Sequence, residues 1–188
     1  MSRRILLLAS GAGSLAKAIL TAHQNGEIDC EFIGLISDKD SPALEVARSF
    51  GIPDFYIPMK ADRSEWDSDI YAQTLSLNPD LVVSVGFMRV LGAKYVEDFQ
   101  VINTHPSLLP LYPGAHAVRD ALAAGATVTG TTVHRVDAGL DSGPVLVQRE
   151  VPIEKSDDES TLHERIKIAE RALIVELLAG YGRRGKLP

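Results

Sequence analysis

The chain has 188 residues, of which 45% are hydrophobic and 23% charged, and this balance predicts one globular domain over residues 1–188 rather than a disordered chain. Its net charge is −6, its longest basic runs are Arg3-Arg4 and Arg183-Arg184, and no apolar run approaches the roughly 18 residues of a membrane span, so we expect neither nucleic acid nor a membrane as a partner. A single cysteine, Cys30, and the lack of a signal-peptide pattern indicate a cytoplasmic protein, which we expect to be a monomer or a homodimer.

Apolar runs alternate with helix-like segments through the first two thirds of the chain. Ser41-Pro42 opens one such helix with proline in its first turn, and Asn78-Pro79-Asp80 separates another helix from the strand that follows. This alternation is typical of βαβ units, which build parallel sheets. The pattern predicts strands over residues 5–9, 32–36, 55–57, 81–85 and from 101, and helices over residues 15–23, 42–51, 64–77, 92–98 and 116–124.

The last third of the chain has a different pattern. Residues 127–136 alternate and are rich in Thr and Val, and a second strand over 144–151 follows a turn, which predicts an antiparallel pair. A final helix begins at Ser156 or Thr161, because a glutamate stands three residues after each, and ends at Gly180. Its buried stripe is Leu162, Ile166, Ala169, Leu173 and Leu177. We therefore predict an α/β fold with a Rossmann-like open twisted sheet, mostly parallel, with an antiparallel C-terminal strand pair and helices on both faces.

A glycine-rich loop, Ser10-Gly11-Ala12-Gly13-Ser14, lies between the first strand and the first helix. Backbone N–H groups at a helix N-terminus bind anions and glycines allow close approach, so the loop suits a phosphate. With Ala16 the loop also fits G-x-G-x-x-A, and Asp38 stands where a dinucleotide-binding protein holds a ribose. A plain tight turn is a third interpretation. The dinucleotide hypothesis leaves no room for a substrate domain.

Asn103 and His105 stand at the end of an apolar strand. Side chains two apart in a strand share a face, and the proline after His105 ends the strand where α/β sheets place their ligands. Either residue alone fits an ordinary turn, but the pair favours a functional site. The turn-rich loop over 137–144 carries Asp141, the candidate partner of His105, because a nearby carboxylate favours and orients an imidazolium.

Other candidate residues give weaker evidence of a functional site. The five histidines show no metal-ligand spacing, so we expect no metal. Ser107 lies outside any G-x-S-x-G pattern and is interpreted as a loop-stabilising hydroxyl. The segment over 86–91 has an apolar face, which fits either core packing of Met88 and Leu91 or a pocket for a flat aromatic ligand.

Six motifs in order along nearly the whole chain resemble the glycinamide ribonucleotide formyltransferase family, folate-dependent enzymes of purine biosynthesis. The motifs are Ser10-Gly11-Ala12-Gly13-Ser14, Gly86-Phe87-Met88-Arg89, Asn103-Thr104-His105-Pro106-Ser107-Leu108-Leu109-Pro110, Tyr112-Pro113-Gly114-Ala115-His116, Gly130-Thr131-Thr132-Val133-His134 and residues 137–144. The sequence departs from the family at Leu15, where many relatives carry Asn.

The resemblance implies three groups of site residues. The catalytic residues would be Asn103, His105 and Asp141. Those that bind the ribonucleotide would be Gly13, Ser14, Leu15, Pro106, Lys167 and Glu170. Those that bind 10-formyltetrahydrofolate, the expected co-substrate, would be Arg63, Met88, Arg89, Val90, Leu91, Asn103, Asp137, Ala138, Gly139, Leu140 and Asp141.

The family's reaction is an acyl transfer between small molecules, in which an amine attacks the formyl carbon. We expect His105 and Asn103 to meet the negative oxygen of the tetrahedral intermediate, with Asp141 behind His105. The alternatives are a formyltetrahydrofolate hydrolase or another amine formyltransferase. A nicotinamide-dinucleotide-binding module is the alternative from a different class.

Overall fold

The computed structural model describes residues 2–188, which form one sheet flanked by helices. The strands are β1 (Arg3–Leu8), β2 (Cys30–Ser37), β3 (Asp54–Tyr56), β4 (Leu81–Ser84), β5 (Val101–His105), β6 (Val128–Arg135) and β7 (Val145–Pro152). The helices are α1 (Ser14–Gln24), α2 (Pro42–Ser49), α3 (Arg63–Leu77), α4 (Ala93–Asp98), α5 (Ala117–Ala123) and α6 (Glu159–Arg184). The order of the strands in the sheet is β3-β2-β1-β4-β5-β6-β7.

The sheet has a parallel part and an antiparallel part. Strands β1 to β5 pair in parallel, because helices carry the chain back across the sheet between them. Strand β6 pairs antiparallel with β5, and β7 pairs antiparallel with β6. The predicted fold, a mostly parallel open sheet with an antiparallel C-terminal pair, is confirmed.

Alternation along β1 explains why helices cover both faces of the sheet. Ile5 and Leu7 point into a core shared with α1, α2 and α6, whereas Leu6 and Leu8 point into a core shared with α3 and α4. All four side chains are fully buried, as expected of a central parallel strand. The prediction of helices on both faces is confirmed.

The ends of the last helix differ from the prediction. Asp158 is the N-cap of α6, and its side chain and that of Thr161 cap each other's backbone N–H groups, so neither Ser156 nor Thr161 starts the helix. The predicted end at Gly180 is also wrong. Helix α6 continues to the C-cap Gly185, because its apolar stripe extends to Tyr181 in the main core.

The carboxyl ends of the parallel strands meet at one edge of the sheet. There the N–H of Ser10, just past β1, donates to the Gly86 carbonyl, just past β4, at 3.1 Å. Strand β5 lies beside β4, with Asn103 in register with Ser84. This edge therefore gathers the glycine loop, the 86–91 segment and the Asn103–His105 pair. In residues 2–188 no helix is long and apolar enough to cross a membrane.

Candidate active site

Asn103 and His105 lie at the carboxyl end of β5 and face the same side of the sheet. The antiparallel register sets His134 of β6 opposite Asn103, so the two side chains share that face. The Asn103 Nδ2 atom is 3.3 Å from His134 Nε2. The predicted Asn–His pair thus gains a second histidine as its cross-strand neighbour.

Asp141 joins the two histidines. Its Oδ2 atom is 3.4 Å from His105 Nδ1, and its Oδ1 atom is 3.6 Å from His134 Nε2. The Gly114 N–H donates a hydrogen bond to Oδ2 at 2.8 Å, which connects the loop after β6 to the loop after β5. We call Asn103, His105, His134 and Asp141 the Asp141 cluster.

The surroundings of Asp141 favour its carboxylate form. The adjacent His134 ring, then the Gly114 N–H and the charge of a protonated His105, hold the pKa of the Asp141 carboxyl below its usual range, although partial burial opposes them. At 3.6 Å the contact with His134 is electrostatic rather than a full hydrogen bond. An ionised Asp141 stabilises an imidazolium at His105.

Both ring nitrogens of His105 face oxygen acceptors. Nδ1 faces Asp141, and Nε2 lies 2.9 Å from the Tyr112 carbonyl. The side chain of His105 is buried. An imidazolium satisfies both acceptors by donating one proton to each, whereas a neutral ring satisfies only one of them.

His134 faces Asn103 and Asp141 through a single nitrogen. Its Nδ1 atom is 2.9 Å from the Arg135 carbonyl, which only an N–H can satisfy. Nε2 is therefore the nitrogen that accepts from the Asn103 amide, and it also lies 3.6 Å from Asp141 Oδ1. His134 fixes the position of both side chains.

Two of the predicted ribonucleotide residues, Lys167 and Glu170, lie on α6, which packs against the opposite face of the sheet. Thr104 points away from the Asp141 cluster, toward Glu170 of α6. Burial raises the pKa of the Glu170 carboxyl, and a hydrogen bond from the Thr104 hydroxyl partly opposes this. Lys167 pairs with Glu164 at 2.7 Å one turn earlier. Pro106 follows β5 directly and is partly buried.

The glycine loop is a tight turn under α2. Gly13 has φ of 70°, and a Cβ there would lie 2.7 Å from the Ala43 backbone. The Ala43 N–H also donates to the Gly11 carbonyl at 3.2 Å. Ser14 is exposed at the start of α1, whereas the Leu15 side chain is buried in the core. Only the backbone of residue 15 can therefore contact a ligand.

The structure argues against the dinucleotide alternative. The carboxylate of Asp38 is already paired with Arg89, at 2.6 Å, and its side chain is fully buried. The first turn of α2 packs on Gly13, so the space beside this glycine is already filled. A dinucleotide would therefore have no free carboxylate at Asp38 for its ribose and no space beside Gly13.

The 86–91 segment follows β4 and presents two apolar side chains to solvent. Met88 is 64% exposed and Val90 is 55% exposed, whereas Leu91 packs in the core. Core packing is therefore wrong for Met88 and correct for Leu91. The Arg63 guanidinium donates to the Val90 carbonyl and lies 4.8 Å over the Trp66 ring, so Arg63 supports this segment from α3.

The loop after β6 divides its predicted residues between two tasks. Asp137 accepts from the Gly139 N–H and the Ser142 hydroxyl at 2.9 and 2.8 Å, so its carboxylate shapes the turn. Ala138 and Leu140 are exposed beside Asp141. Within residues 2–188 no three His, Cys, Asp or Glu side chains are grouped as a metal site requires.

Similarity to known proteins shows the family to which the chain belongs. The sequence model described as "Formyl transferase" matches residues 3–178. The chain belongs to the formyl transferase family. It is a transferase enzyme, and its resemblance to formyltransferases is confirmed.

This formyl transferase is similar to named relatives over nearly its whole length. It is 46% identical over 186 residues to a phosphoribosylglycinamide formyltransferase of Mycobacterium tuberculosis, covering 97% of this chain and 86% of the relative. The Bacillus subtilis protein of that name is 33% identical, with 98% of each chain covered. A phosphoribosylglycinamide formyltransferase structure from Bacillus halodurans superposes with a TM-score of 0.92 at 32% identity, covering 98% of this chain and 97% of that one.

Three contacts of this formyl transferase's site were missed by sequence reasoning: the His134 ring, the Tyr112 carbonyl and the Gly114 N–H. His134 lies in a strand that the sequence predicts, but the register of that strand against β5 decides which of its residues meets Asn103. The two backbone groups carry no residue-type signal at all. Ser107, interpreted as a loop hydroxyl, does donate to the Leu111 carbonyl at 2.6 Å.

Proposed function

We propose that this formyl transferase transfers the formyl group of 10-formyltetrahydrofolate to the amine of phosphoribosylglycinamide, a step of purine biosynthesis. The observation that carries the proposal is the Asp141 cluster, which gathers an amide, two histidines and a carboxylate at the end of β5. The names of the similar proteins supply the substrate. Residues 1–188 act as a single domain on small molecules, in the cytoplasm.

The reaction needs donors for an oxygen that becomes negative. The glycine amine attacks the formyl carbon, the carbonyl electron pair moves to oxygen, and the bond from that carbon to the folate N10 then breaks. In our scheme the Asn103 amide and the His105 imidazolium donate hydrogen bonds to the oxyanion. The amine loses a proton and N10 gains one, through His105 or a water held by Asp141. The scheme needs no metal, because two donors meet the charge.

In our scheme the oxyanion replaces the Tyr112 carbonyl as the acceptor of the His105 Nε2–H. The carbonyl accepts from Nε2 at 2.9 Å, the nitrogen that faces away from Asp141. An oxyanion is a stronger acceptor than a neutral carbonyl, so it takes this proton in the transition state. Asp141 keeps its hold on Nδ1 during the exchange.

The ribonucleotide lies between α1 and α6 in this proposal. Its phosphate accepts from the free N–H groups of Gly13, Ser14 and Leu15 at the start of α1. Lys167 leaves Glu164 for the phosphate, since a dianion attracts it more strongly. Glu170, beside Thr104, holds the ribose and glycine end.

The formyl donor lies along the 86–91 segment and the loop after β6. Met88 and Val90 offer apolar contact to the pteridine ring, and Leu91 forms the base of the segment. Arg89 and Arg63 hold the segment in place. Residues 137–141, with Leu140 exposed, cover the other side of the folate.

Formation of tetrahydrofolate from 10-formyltetrahydrofolate tests this function directly. We expect the product only when phosphoribosylglycinamide is present, in equal amounts with formylated ribonucleotide. Tetrahydrofolate formed without an amine indicates a hydrolase and contradicts the proposal. Transfer to a different amine but not to the ribonucleotide also contradicts it, as does micromolar binding of NADH in a fluorescence titration without any transfer.

A further inference from the structure

Asp38 carries a buried charge that the proposed reaction does not use. It follows β2 directly, its side chain is fully buried, and its Oδ2 atom accepts from Arg89 Nε at 2.6 Å. Its Oδ1 atom is buried with no hydrogen-bond partner among residues 2–188. Burying a carboxylate with one oxygen unpaired opposes folding, and such pairs are weak contributors to stability. The pair therefore calls for a reason other than stability.

The location of the pair supplies that reason. Arg89 lies in the 86–91 segment after β4, and β1 separates β4 from β2 in the sheet. The ion pair therefore spans the carboxyl end of β1. Ser10, just past β1, accepts from the Met88 N–H at 2.9 Å. Two consecutive residues of the segment are thus fixed to two different strands.

The two anchoring residues are buried, but the apolar side chain that they support is exposed. Ser10 and Asp38 are buried, whereas Met88 between them is 64% exposed. An exposed apolar side chain on an otherwise unsupported segment would be free to collapse onto the sheet. The hydrogen bonds to Ser10 and Asp38 hold the backbone of the segment, so the Met88 side chain stays exposed and can contact a ligand.

We propose that Asp38 is a positioning residue for the formyl donor. It acts through Arg89, holding the 86–91 segment so that Met88 and Val90 face the folate, and it does not touch the substrates. This inference rests on the proposed function, since it assigns the segment to the folate. The ribonucleotide lies on the other side of β5 and does not depend on this ion pair.

Steady-state kinetics of Asp38→Asn test the inference, because asparagine keeps the shape of the side chain and removes its charge. We expect the KM for 10-formyltetrahydrofolate to rise roughly 10-fold, as misplacement of a binding segment does. The KM for the ribonucleotide and kcat should stay within about twofold. The matched control is Asp54→Asn, which breaks the Asp54–Arg48 pair on the neighbouring strand β3 and should leave both KM values unchanged.

A double-mutant cycle separates positioning from a general loss of structure. If Asp38 acts through Arg89, Asp38→Asn combined with Arg89→Gln is no worse for the donor KM than Arg89→Gln alone. Additive effects overturn the inference, and so does a folded, active Asp38→Asn enzyme with an unchanged donor KM. Wild-type protein without formyl transfer to the ribonucleotide overturns the proposed function instead, so the two failures are distinguishable. Thermal unfolding of each variant identifies an effect that is only structural.

Discussion

The Asp141 cluster and the 86–91 segment lie at the same sheet edge but differ in exposure. His105 is 5% exposed and His134 2%, whereas Met88 is 64% exposed and Val90 55%. In the cluster each of the four side chains already has a protein partner. In the segment the apolar side chains of Met88 and Val90 face solvent. The Met88 N–H and the Arg89 guanidinium, by contrast, are bound by the buried Ser10 and Asp38.

The difference follows from what each region has to do. Groups that stabilise a developing charge work best when they are fixed before the reaction, since they then cost no reorganisation. A binding surface for a flat apolar ring has to stay open until the ring arrives, and it gains free energy by covering exposed apolar area. Substitutions in the cluster should therefore lower kcat, and substitutions in the segment should raise KM for the donor.

The largest effect is expected from His105→Ala. Loss of one oxyanion donor lowers turnover roughly 100- to 1,000-fold, and Asn103→Ala should fall in the same range. Steady-state kcat at saturating substrates is the measurement. The control is His23→Gln, at the far end of α1, which should keep wild-type kcat. A His105→Ala enzyme with wild-type turnover would rule out the oxyanion role.

A smaller effect on the same parameter is expected from His134→Gln. Glutamine still reaches Asn103 but places no imidazole ring beside Asp141, so kcat should fall about 10-fold with both KM values unchanged. The pH dependence of kcat is the second measurement, because a residue that only fills space would leave it unchanged. An altered donor KM with normal kcat would place His134 in the binding surface instead.

The segment should respond in KM rather than in kcat. Met88→Ser removes apolar contact and should raise the KM for 10-formyltetrahydrofolate about 10-fold, which corresponds to about 1.4 kcal/mol. Leu75→Ser on α3 is the control, because it replaces another exposed apolar side chain, 56% exposed, away from the segment. If Met88→Ser lowered kcat and spared KM, the contrast between the two regions would be lost.

The smallest effect concerns stability at Glu170. Burial raises the pKa of this carboxyl, so its contribution to stability is present below the unfolded pKa and is lost as pH rises through the folded value. Glu170 therefore stabilises the free enzyme less at pH 7.5 than at low pH, and Glu170→Gln should raise Tm at pH 7.5 by roughly 2 °C. The gain should shrink near pH 4, where the carboxyl is mostly protonated in both states.

Differential scanning calorimetry at the two pH values measures the Glu170 effect. Glu176→Gln, on the same helix, is the control because it removes an exposed carboxylate that pairs with Arg149. It should give no rise in Tm. A Glu170→Gln enzyme that is less stable at pH 7.5 would show that the carboxylate is held by favourable contacts.

The sequence by itself determined most of the fold and three of the four residues of the Asp141 cluster, namely Asn103, His105 and Asp141. Alternation of apolar runs with helical segments is a local signal, and so is the Asn-x-His pattern at a strand end. The last helix was misjudged at both ends, because Thr161 replaces the expected glutamate in the cap and Gly180 lies inside a helix that tertiary packing extends to Arg184.

Only the tertiary structure decided which groups meet. The antiparallel register brings His134 to Asn103, and the Gly114 N–H reaches Asp141 from a loop 27 residues away. The Asp38–Arg89 pair joins residues 51 apart across the end of β1. Local patterns cannot encode such meetings, since register and strand order depend on how the whole sheet buries its apolar side chains.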